Sequence, residues 1–145
     1  EALKMIKGIP SILSPELLKT LMEMGHGDEL VLADGNFPKF AHPDRVIRLD
    51  GHKIPQILDA VLQFMPLDSY VKNPTIFMEV LPEDPYKPEI WPIYRKIGAK
   101  HEKNGLRDLA INKFEFYERA KKAYAVVTTS ESALYANIIL KKGVV

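Results

Sequence analysis

The run Leu30-Val31-Leu32-Ala33, closed by Asp34-Gly35, decides the fold class of this sequence. A short, continuously apolar run predicts a buried strand in preference to a helix, and Asp-Gly is a turn signal. A helix is predicted before this strand, because Ser14-Pro15-Glu16 supplies an N-cap, a proline for the first turn and an acid near the positive end of the helix dipole. Gly25 is expected to end that helix in a left-handed conformation.

The rest of the chain continues this alternation. Three further helices are predicted: one at residues 54–65, one that begins at Trp91 and ends near Gly105, and one at residues 114–122 with i,i+4 ion pairs Glu115–Arg119 and Glu118–Lys122. Further strands are predicted at residues 46–49, 75–81, 109–111, 124–129 and 137–140. Alternating strands and helices indicate a layered α/β fold. The 145 residues hold no internal repeat and no linker, so we expect one domain spanning 1–145.

Composition excludes several classes of function. The net charge is +1 with acids and bases interspersed, which argues against nucleic acid as a partner. Cysteine is absent, so a disulfide framework, a thiolate metal site and a cysteine nucleophile are excluded. No run approaches the ~18 apolar residues that cross a membrane, and Glu1-Ala2-Leu3-Lys4 lacks the apolar segment of a signal peptide. We therefore expect a cytoplasmic protein without membrane partners.

Two residues around the first strand are candidates for chemistry. His26 lies between Gly25 and Gly27, which leave its imidazole open to a ligand, and imidazole exchanges protons near neutral pH. Asp34 ends the strand, where sites of α/β sheets gather, and a carboxylate there could hold an imidazole in one tautomer. Both residues also have purely structural interpretations: a loop histidine bonded to a backbone carbonyl, and the first residue of an Asx turn.

Side chains nearer the C-terminus could bind hydroxyl groups. Lys113, Tyr117 and Lys121 are four apart, so one helical face could present them together. Tyr135 and Asn137 precede the last strand and can both donate and accept hydrogen bonds, which suits a polyol. The alternatives are an amphipathic helix with solvated charges and a half-buried tyrosine at a turn.

No metal site is predicted. The spacing of His26, Asp28 and Asp34 matches no coordination motif. His42, His52 and His101 have polar neighbours in the sequence and are expected on the surface.

Several stretches together resemble one family. They are Gly8-Ile9-Pro10, Leu13-Ser14-Pro15-Glu16-Leu17-Leu18, Met24-Gly25-His26-Gly27-Asp28-Glu29, Asp34-Gly35-Asn36-Phe37-Pro38, Asp50-Gly51, Phe114-Glu115-Phe116-Tyr117-Glu118-Arg119-Ala120 and Leu134-Tyr135-Ala136-Asn137-Ile138-Ile139-Leu140-Lys141-Lys142-Gly143. In this order they are similar to the RbsD/FucU sugar mutarotase family, over nearly the whole chain except residues 82–106. The Phe-Tyr-Glu-Arg run resembles the fucose branch rather than the ribose pyranase branch.

The resemblance implies a fold, an assembly and a reaction. The fold would be a three-layer α/β/α domain with a mixed sheet. The assembly would be a ring-like oligomer, commonly a decamer of two pentamers, with sugar sites where subunits meet. The reaction would interconvert the anomers of free L-fucopyranose by acid/base-assisted ring opening and closure, with no cofactor.

The resemblance also assigns roles to residues. His26 would be the acid/base, and Asp34 would orient it and set its pKa. Sugar hydroxyls would be held by Lys113, Tyr117, Tyr135 and Asn137, and less securely by Arg119, which could pair with Glu115 instead. Three alternatives stay open: a ribose pyranase, a sugar-binding subunit without catalysis, and a purely structural ring protein.

Overall fold

The computed structural model describes residues 5–145. Residues 1–4, where we expect no signal peptide, lie outside the described part of the chain. The helices are α1 (Pro15–Glu23), α2 (Ile54–Phe64), α3 (Ile90–His101) and α4 (Lys113–Lys121), with a short 3-10 helix at Lys39–Ala41. The strands are β1 (Glu29–Ala33), β2 (Val46–Arg48), β3 (Thr75–Met78), β4 (Asp108–Ile111), β5 (Ala125–Thr128) and β6 (Ile138–Lys141).

The first helix begins as predicted but ends differently. The Ser14 hydroxyl accepts a hydrogen bond from the Leu17 N–H at 3.2 Å, which caps the helix. The helix ends just before Met24, which has an extended backbone, and the φ of Gly25 is not positive. The predicted left-handed stop at Gly25 is therefore wrong. The Gly25 N–H is bonded to the Asp28 carboxylate at 2.7 Å, and Gly27 makes the left-handed turn instead, at φ 89°.

The six strands form one mixed sheet in the order β2-β5-β1-β6-β3-β4. Neighbouring strands are parallel except at β6, which runs antiparallel to both β1 and β3. The predicted strand at residues 75–81 is too long, because β3 stops at Met78. The Glu79 N–H makes one more ladder bond, to the Ile111 carbonyl, and a proline-rich loop of residues 79–89 follows.

Helices cover both faces of this sheet. Alternate strand side chains such as Leu30 and Leu32 pack with α1, α2 and α3 in one core. Their neighbours, such as Val31, pack with Phe116 and Ala120 of α4 in a second core. The predicted three-layer α/β/α fold with a mixed sheet is confirmed. Within residues 5–145, no helix is long and apolar enough to span a membrane.

The strand directions place the candidate residues at two opposite edges of the sheet. The carboxyl ends of β1, β3 and β4 meet the start of β6 at one edge, which places Asp34, Lys113 and Asn137 there. His26 precedes β1 and Asp68 precedes β3, so both lie at the opposite edge, beside the end of β6.

Candidate active site

A cavity of about 270 Å³ opens at the edge that carries the carboxyl ends of β1 and β3. Five residues predicted from the sequence to serve the site line it: Asp34, Lys113, Tyr117, Tyr135 and Asn137. The structure adds lining residues that sequence reasoning missed, namely Asn36, Phe37, Pro38, Met78, Glu79, Leu81, Asp84 and Leu134.

Asp34 and Asn137 form a reciprocal pair at the base of the cavity. The Asp34 N–H donates to Asn137 Oδ1 at 2.6 Å, and Asn137 Nδ2 donates to Asp34 Oδ2 at 3.3 Å. Asn36 N–H donates to Asp34 Oδ1 at 3.0 Å, which is the Asx turn anticipated as the structural alternative. Burial raises the pKa of the Asp34 carboxyl, although these hydrogen bonds oppose the shift. Asp34 therefore both opens an Asx turn and lines the cavity.

Tyr135 is held in an unusual backbone conformation. Its φ of 57° lies in the left-handed region, which a non-glycine residue keeps only when its surroundings fix it. The Trp91 indole donates to the Tyr135 carbonyl at 2.9 Å, and the buried Tyr94 hydroxyl donates to the Ala136 carbonyl at 2.7 Å. Two aromatic donors of α3 therefore fix the turn that carries Tyr135 and Asn137.

The Tyr135 hydroxyl has a partner in the proline-rich loop. It donates to Asp84 Oδ2 at 2.8 Å, and burial together with this carboxylate raises the pKa of the phenol. The Asp84 carboxylate also accepts the Tyr86 N–H at 2.9 Å, and the Tyr86 ring stacks on Tyr135 with centroids 6.3 Å apart. The phenol hydrogen is therefore engaged by Asp84, and the phenol oxygen, which also accepts the Leu81 N–H at 3.4 Å, can only accept a further hydrogen bond.

Helix α4 supplies the other wall. Asn112 caps it by accepting the Glu115 N–H at 3.0 Å, so Lys113 and Tyr117 project from its first turns. The Lys113 ammonium lies 5.9 Å from the centre of the Tyr117 ring. Burial, and then the nearby Asp34 charge, raise the pKa of the Tyr117 phenol. The predicted pairing of these two side chains on one helical face is therefore present.

A second groove, of about 460 Å³, adjoins this wall on its outer side. Its lining includes Tyr117 and Lys113 together with the strongly exposed rings of Phe40 and Phe114. The two concavities thus share a wall, and the outer one is rich in exposed aromatic surface.

His26 does not reach this cavity in its own chain. Strand β1 lies between His26 and Asp34, and its five residues alone span about 16 Å. His26 Nε2 instead meets Asp68 Oδ1 at 3.0 Å, and its ring contacts Tyr70 edge-on at 4.9 Å between centroids. Within one chain, the partner of the imidazole is therefore Asp68, and the expected pairing with Asp34 is not formed.

Arg119 is also outside the cavity. Its guanidinium donates to both carboxylate oxygens of Glu29 at 2.6–3.2 Å. The predicted ion pair between Arg119 and Glu115 is therefore wrong. The second predicted helix pair is replaced as well, since Glu118 bonds Lys121 at 3.0 Å rather than Lys122. Arg119 pairs with Glu29 because its side chain points toward the start of β1, where the Glu29 side chain is 13% exposed.

The remaining histidines differ partly from expectation. His101 is largely buried and bonded to Asp59 at 2.5 Å, and His42 stacks on Phe37 with centroids 5.8 Å apart. The prediction that they are simple surface residues is wrong for these two. Within residues 5–145, no three His, Asp or Glu side chains gather as metal ligands.

The cavity is lined by three carboxyls, two amides, two phenols and one ammonium group, within walls of aromatic and aliphatic carbon. Donors and acceptors of this kind match alternating hydroxyl groups, and ring faces match the C–H faces of a sugar. The geometry fits a small polyhydroxylated molecule.

Comparison with known proteins gives consistent findings. The sequence profile of the RbsD / FucU transport protein family matches residues 7–145. A protein of Bos taurus named fucose mutarotase is 51% identical over 144 residues, covering 96% of this chain and 94% of its own. The crystal structure of a fucose mutarotase from Streptococcus pneumoniae in complex with L-fucose superposes with a TM-score of 0.91 at 53% identity, covering 97% of this chain and 99% of that one. The structure of Bacillus subtilis RbsD complexed with D-ribose is more distant, with a TM-score of 0.72 and 25% identity over 92% and 95% of the two chains.

Proposed function

Because the chain belongs to the RbsD / FucU family, we propose that it is an isomerase that interconverts the α and β anomers of free L-fucopyranose. L-Fucose is favoured over D-ribose because the relatives about half identical to this chain are named fucose mutarotases. The ribose-bound relative shares only a quarter of its residues.

The observation that carries this proposal is the cavity formed by Asp34, Lys113, Tyr117, Tyr135 and Asn137. These side chains converge from β1, α4 and the turn before β6, and they offer both donors and acceptors. Mutarotation changes neither oxidation state nor composition, so this set needs to bind a sugar and assist proton transfer, with no cofactor.

The acid/base group is proposed to come from a second copy of the chain. His26 is 40% exposed in its side chain and lies at the opposite sheet edge from the cavity. An oligomer that places this edge beside the cavity of a neighbour would complete the site. The exposed rings of Phe40 and Phe114 line the outer groove that adjoins the cavity and offer apolar surface for that contact. We propose the ring-like decamer of two pentamers implied by the family resemblance.

The proposed reaction consists of two proton movements. His26 takes the proton of the anomeric hydroxyl while a proton reaches the ring oxygen, through water or a neighbouring hydroxyl. The bond between the anomeric carbon and the ring oxygen breaks, the aldehyde rotates, and closure by the reverse transfers gives the other anomer. Such assistance contributes roughly 10²–10⁴-fold.

The other residues are assigned to binding. Asp34, kept in place by Asn137, faces the sugar from the base of the cavity. Tyr135, Tyr117 and Lys113 hold hydroxyls on the walls. Arg119 is assigned no contact with the sugar, because Glu29 occupies its guanidinium. One-domain organisation and a cytoplasmic location stay predictions.

The test is an anomer-exchange measurement by NMR magnetisation transfer on L-fucose, D-ribose and D-galactose. The proposal expects the purified protein to accelerate L-fucose exchange most, and the His26→Ala variant in the same oligomeric state to lose that acceleration. Faster exchange of D-ribose would identify a ribose pyranase instead. Saturable binding of L-fucose without acceleration would identify a sugar-binding subunit, and no thermal shift with any sugar would favour a structural role.

A further inference from the structure

The end of β6 carries a lysine that binds the backbone of a distant element. The Lys142 ammonium donates to the Leu21 carbonyl at 2.7 Å and to the Met24 carbonyl at 2.5 Å, both at the C-terminal end of α1. The last carbonyls of a helix have no partner within the helix, and a cation beside them also interacts favourably with the helix dipole. The last turn of α1 has no basic residue of its own, and Gly25 does not close it, so Lys142 supplies both the donors and the charge.

The main chain of the same residue holds the turn that follows the helix. The Gly27 N–H donates to the Lys142 carbonyl at 2.8 Å, and the Lys142 N–H donates to the Asp28 carbonyl, also at 2.8 Å. Lys142 therefore binds the chain on both sides of His26: its side chain holds the segment before the imidazole, and its peptide groups hold the segment after it.

Only the side-chain part of this attachment depends on the residue type. Every residue except proline can make the two main-chain bonds, whereas a long side chain with a charged donor is needed to reach two carbonyls of α1. The restraint matters here because His26 stands between two glycines, whose backbone is free to adopt many conformations. Without the ammonium, the segment between α1 and β1 loses its attachment to the sheet on the side of the helix.

We propose that Lys142 is a positioning residue that fixes the end of α1 and thereby sets the place of the His26 imidazole. The inference rests on the proposed function, in which His26 takes the proton of the anomeric hydroxyl. Lys142 follows the end of β6, at the sheet edge opposite the cavity of its own chain, and is not among the residues that line that cavity. It therefore acts on proton transfer through His26 and leaves the hydroxyl contacts of the sugar unchanged.

The kinetic test uses two substitutions of Lys142. Lys142→Met removes the donor and the charge but keeps a long, unbranched side chain. Because a misplacement of about 1 Å in a reacting group costs up to about 100-fold, we expect kcat for L-fucose anomer exchange to fall about 10-fold to 100-fold, with KM changed less than about 3-fold. Lys142→Arg keeps a charged donor and should recover at least about 5-fold of the lost kcat.

Three kinetic outcomes would overturn the inference: an unchanged kcat in Lys142→Met, a rise in KM as large as the fall in kcat, or an arginine variant no better than the methionine variant. Rates are compared on oligomers of wild-type size, well below the Tm of each variant, so that unfolded protein does not contribute. If Lys142→Met does not assemble, Lys142→Gln takes its place under the same criteria.

Lys53→Met is the matched control. The Lys53 ammonium also donates to a backbone carbonyl, that of Ser130 at 3.1 Å, but Lys53 touches neither α1 nor the lining of the cavity. We expect kcat to stay within about 2-fold of the wild type in this variant. A fall equal to that in Lys142→Met would show that loss of any lysine-to-carbonyl bond lowers the rate, and would overturn the special place given to Lys142.

The second test does not depend on activity. Hydrogen–deuterium exchange followed by mass spectrometry reports the opening of backbone hydrogen bonds segment by segment. In Lys142→Met, peptides that cover residues 21–28 should exchange at least about 10-fold faster than in the wild type, and peptides that cover residues 34–38 should be unchanged. Unchanged exchange at residues 21–28 would overturn the inference.

The two measurements separate this inference from the proposed function. An active wild type with an unchanged kcat in Lys142→Met would overturn the role of Lys142 while the mutarotase proposal stands. A wild type that does not accelerate L-fucose exchange would overturn the proposed function, and the deuterium measurement would still decide whether Lys142 fixes the segment that carries His26.

Discussion

Removing the hydroxyl of Tyr94 tests how the turn that carries the site is held. This hydroxyl is fully buried and donates to the Ala136 carbonyl at 2.7 Å, beside the Trp91 bond to Tyr135. Tyr94→Phe leaves the ring in place and deprives a buried carbonyl of a donor, which costs about 1–3 kcal/mol in the free energy of unfolding. For a chain of this length, each kcal/mol lowers Tm by about 2–4 °C.

The same substitution should reach the chemistry. Tyr135 keeps its left-handed φ at a cost of about 1–3 kcal/mol. When one of the two hydrogen bonds that hold the turn is lost, the turn can relax. A shift of its phenol by a fraction of an ångström is expected to lower fucose anomer exchange at saturating sugar by about 10-fold. Differential scanning calorimetry and NMR exchange spectroscopy measure the two effects.

Tyr124→Phe is the matched control for the hydroxyl deletion. The Tyr124 hydroxyl makes one long contact, 3.5 Å, to the exposed Glu23 carboxylate, so its loss should cost less than about 0.5 kcal/mol. An unchanged Tm in Tyr94→Phe would refute the packing argument. A lowered Tm with unchanged exchange would refute the claim that Tyr94 positions the site.

Three further predictions concern the burial of a carboxyl, a half-buried ion pair and a close contact. Asp34→Asn should lower the exchange rate but raise Tm at neutral pH. Folding raises the pKa of Asp34 above 3.8, so its protonated form stabilises the protein at low pH, and this stabilisation is lost as pH rises. The gain in Tm from Asp34→Asn should therefore shrink toward about pH 4 in a calorimetric series. Arg119→Gln should lower the unfolding free energy by about 1–3 kcal/mol in urea titrations, because it breaks the bidentate bond to Glu29, with KM for fucose unchanged. Gly98→Ala should cost about 1–3 kcal/mol, since its Cβ would come within 2.4 Å of Leu106, and equal stability of the two proteins in urea would show that Leu106 moves freely.

The elements of the fold were predictable because each has a local signal. Continuous apolar runs such as residues 30–33 give strands, and the Ser14 cap and Pro15 start a helix that the structure contains. Strand order was not predictable from local pattern, since the antiparallel insertion of β6 between β1 and β3 depends on contacts distant in the sequence. The misplaced stop at Gly25 has a similar cause, because Asp28 and the tail of β6 fix that turn.

The cavity was predictable in part. The five lining residues named from the sequence lie together because strand ends and the first turn of α4 meet at one edge. Asp84 and Asp68 were missed, since one lies in an irregular proline-rich loop and the other follows Pro66-Leu67 with no motif around it. The expected contact between His26 and Asp34 is not formed within one chain, because residues before and after one strand lie at opposite edges of a sheet.

Complementation between two inactive variants tests most directly whether each site joins the cavity of one copy to His26 of another. His26→Ala and Asp34→Asn, each expected to lose most of the acceleration alone, are co-expressed with different tags, and the mixed oligomers are isolated. Random mixing gives about one site in four with an intact cavity facing an intact His26, so about a quarter of the wild-type rate of L-fucose anomer exchange is expected. Mixed oligomers no more active than their parents would contradict the claim.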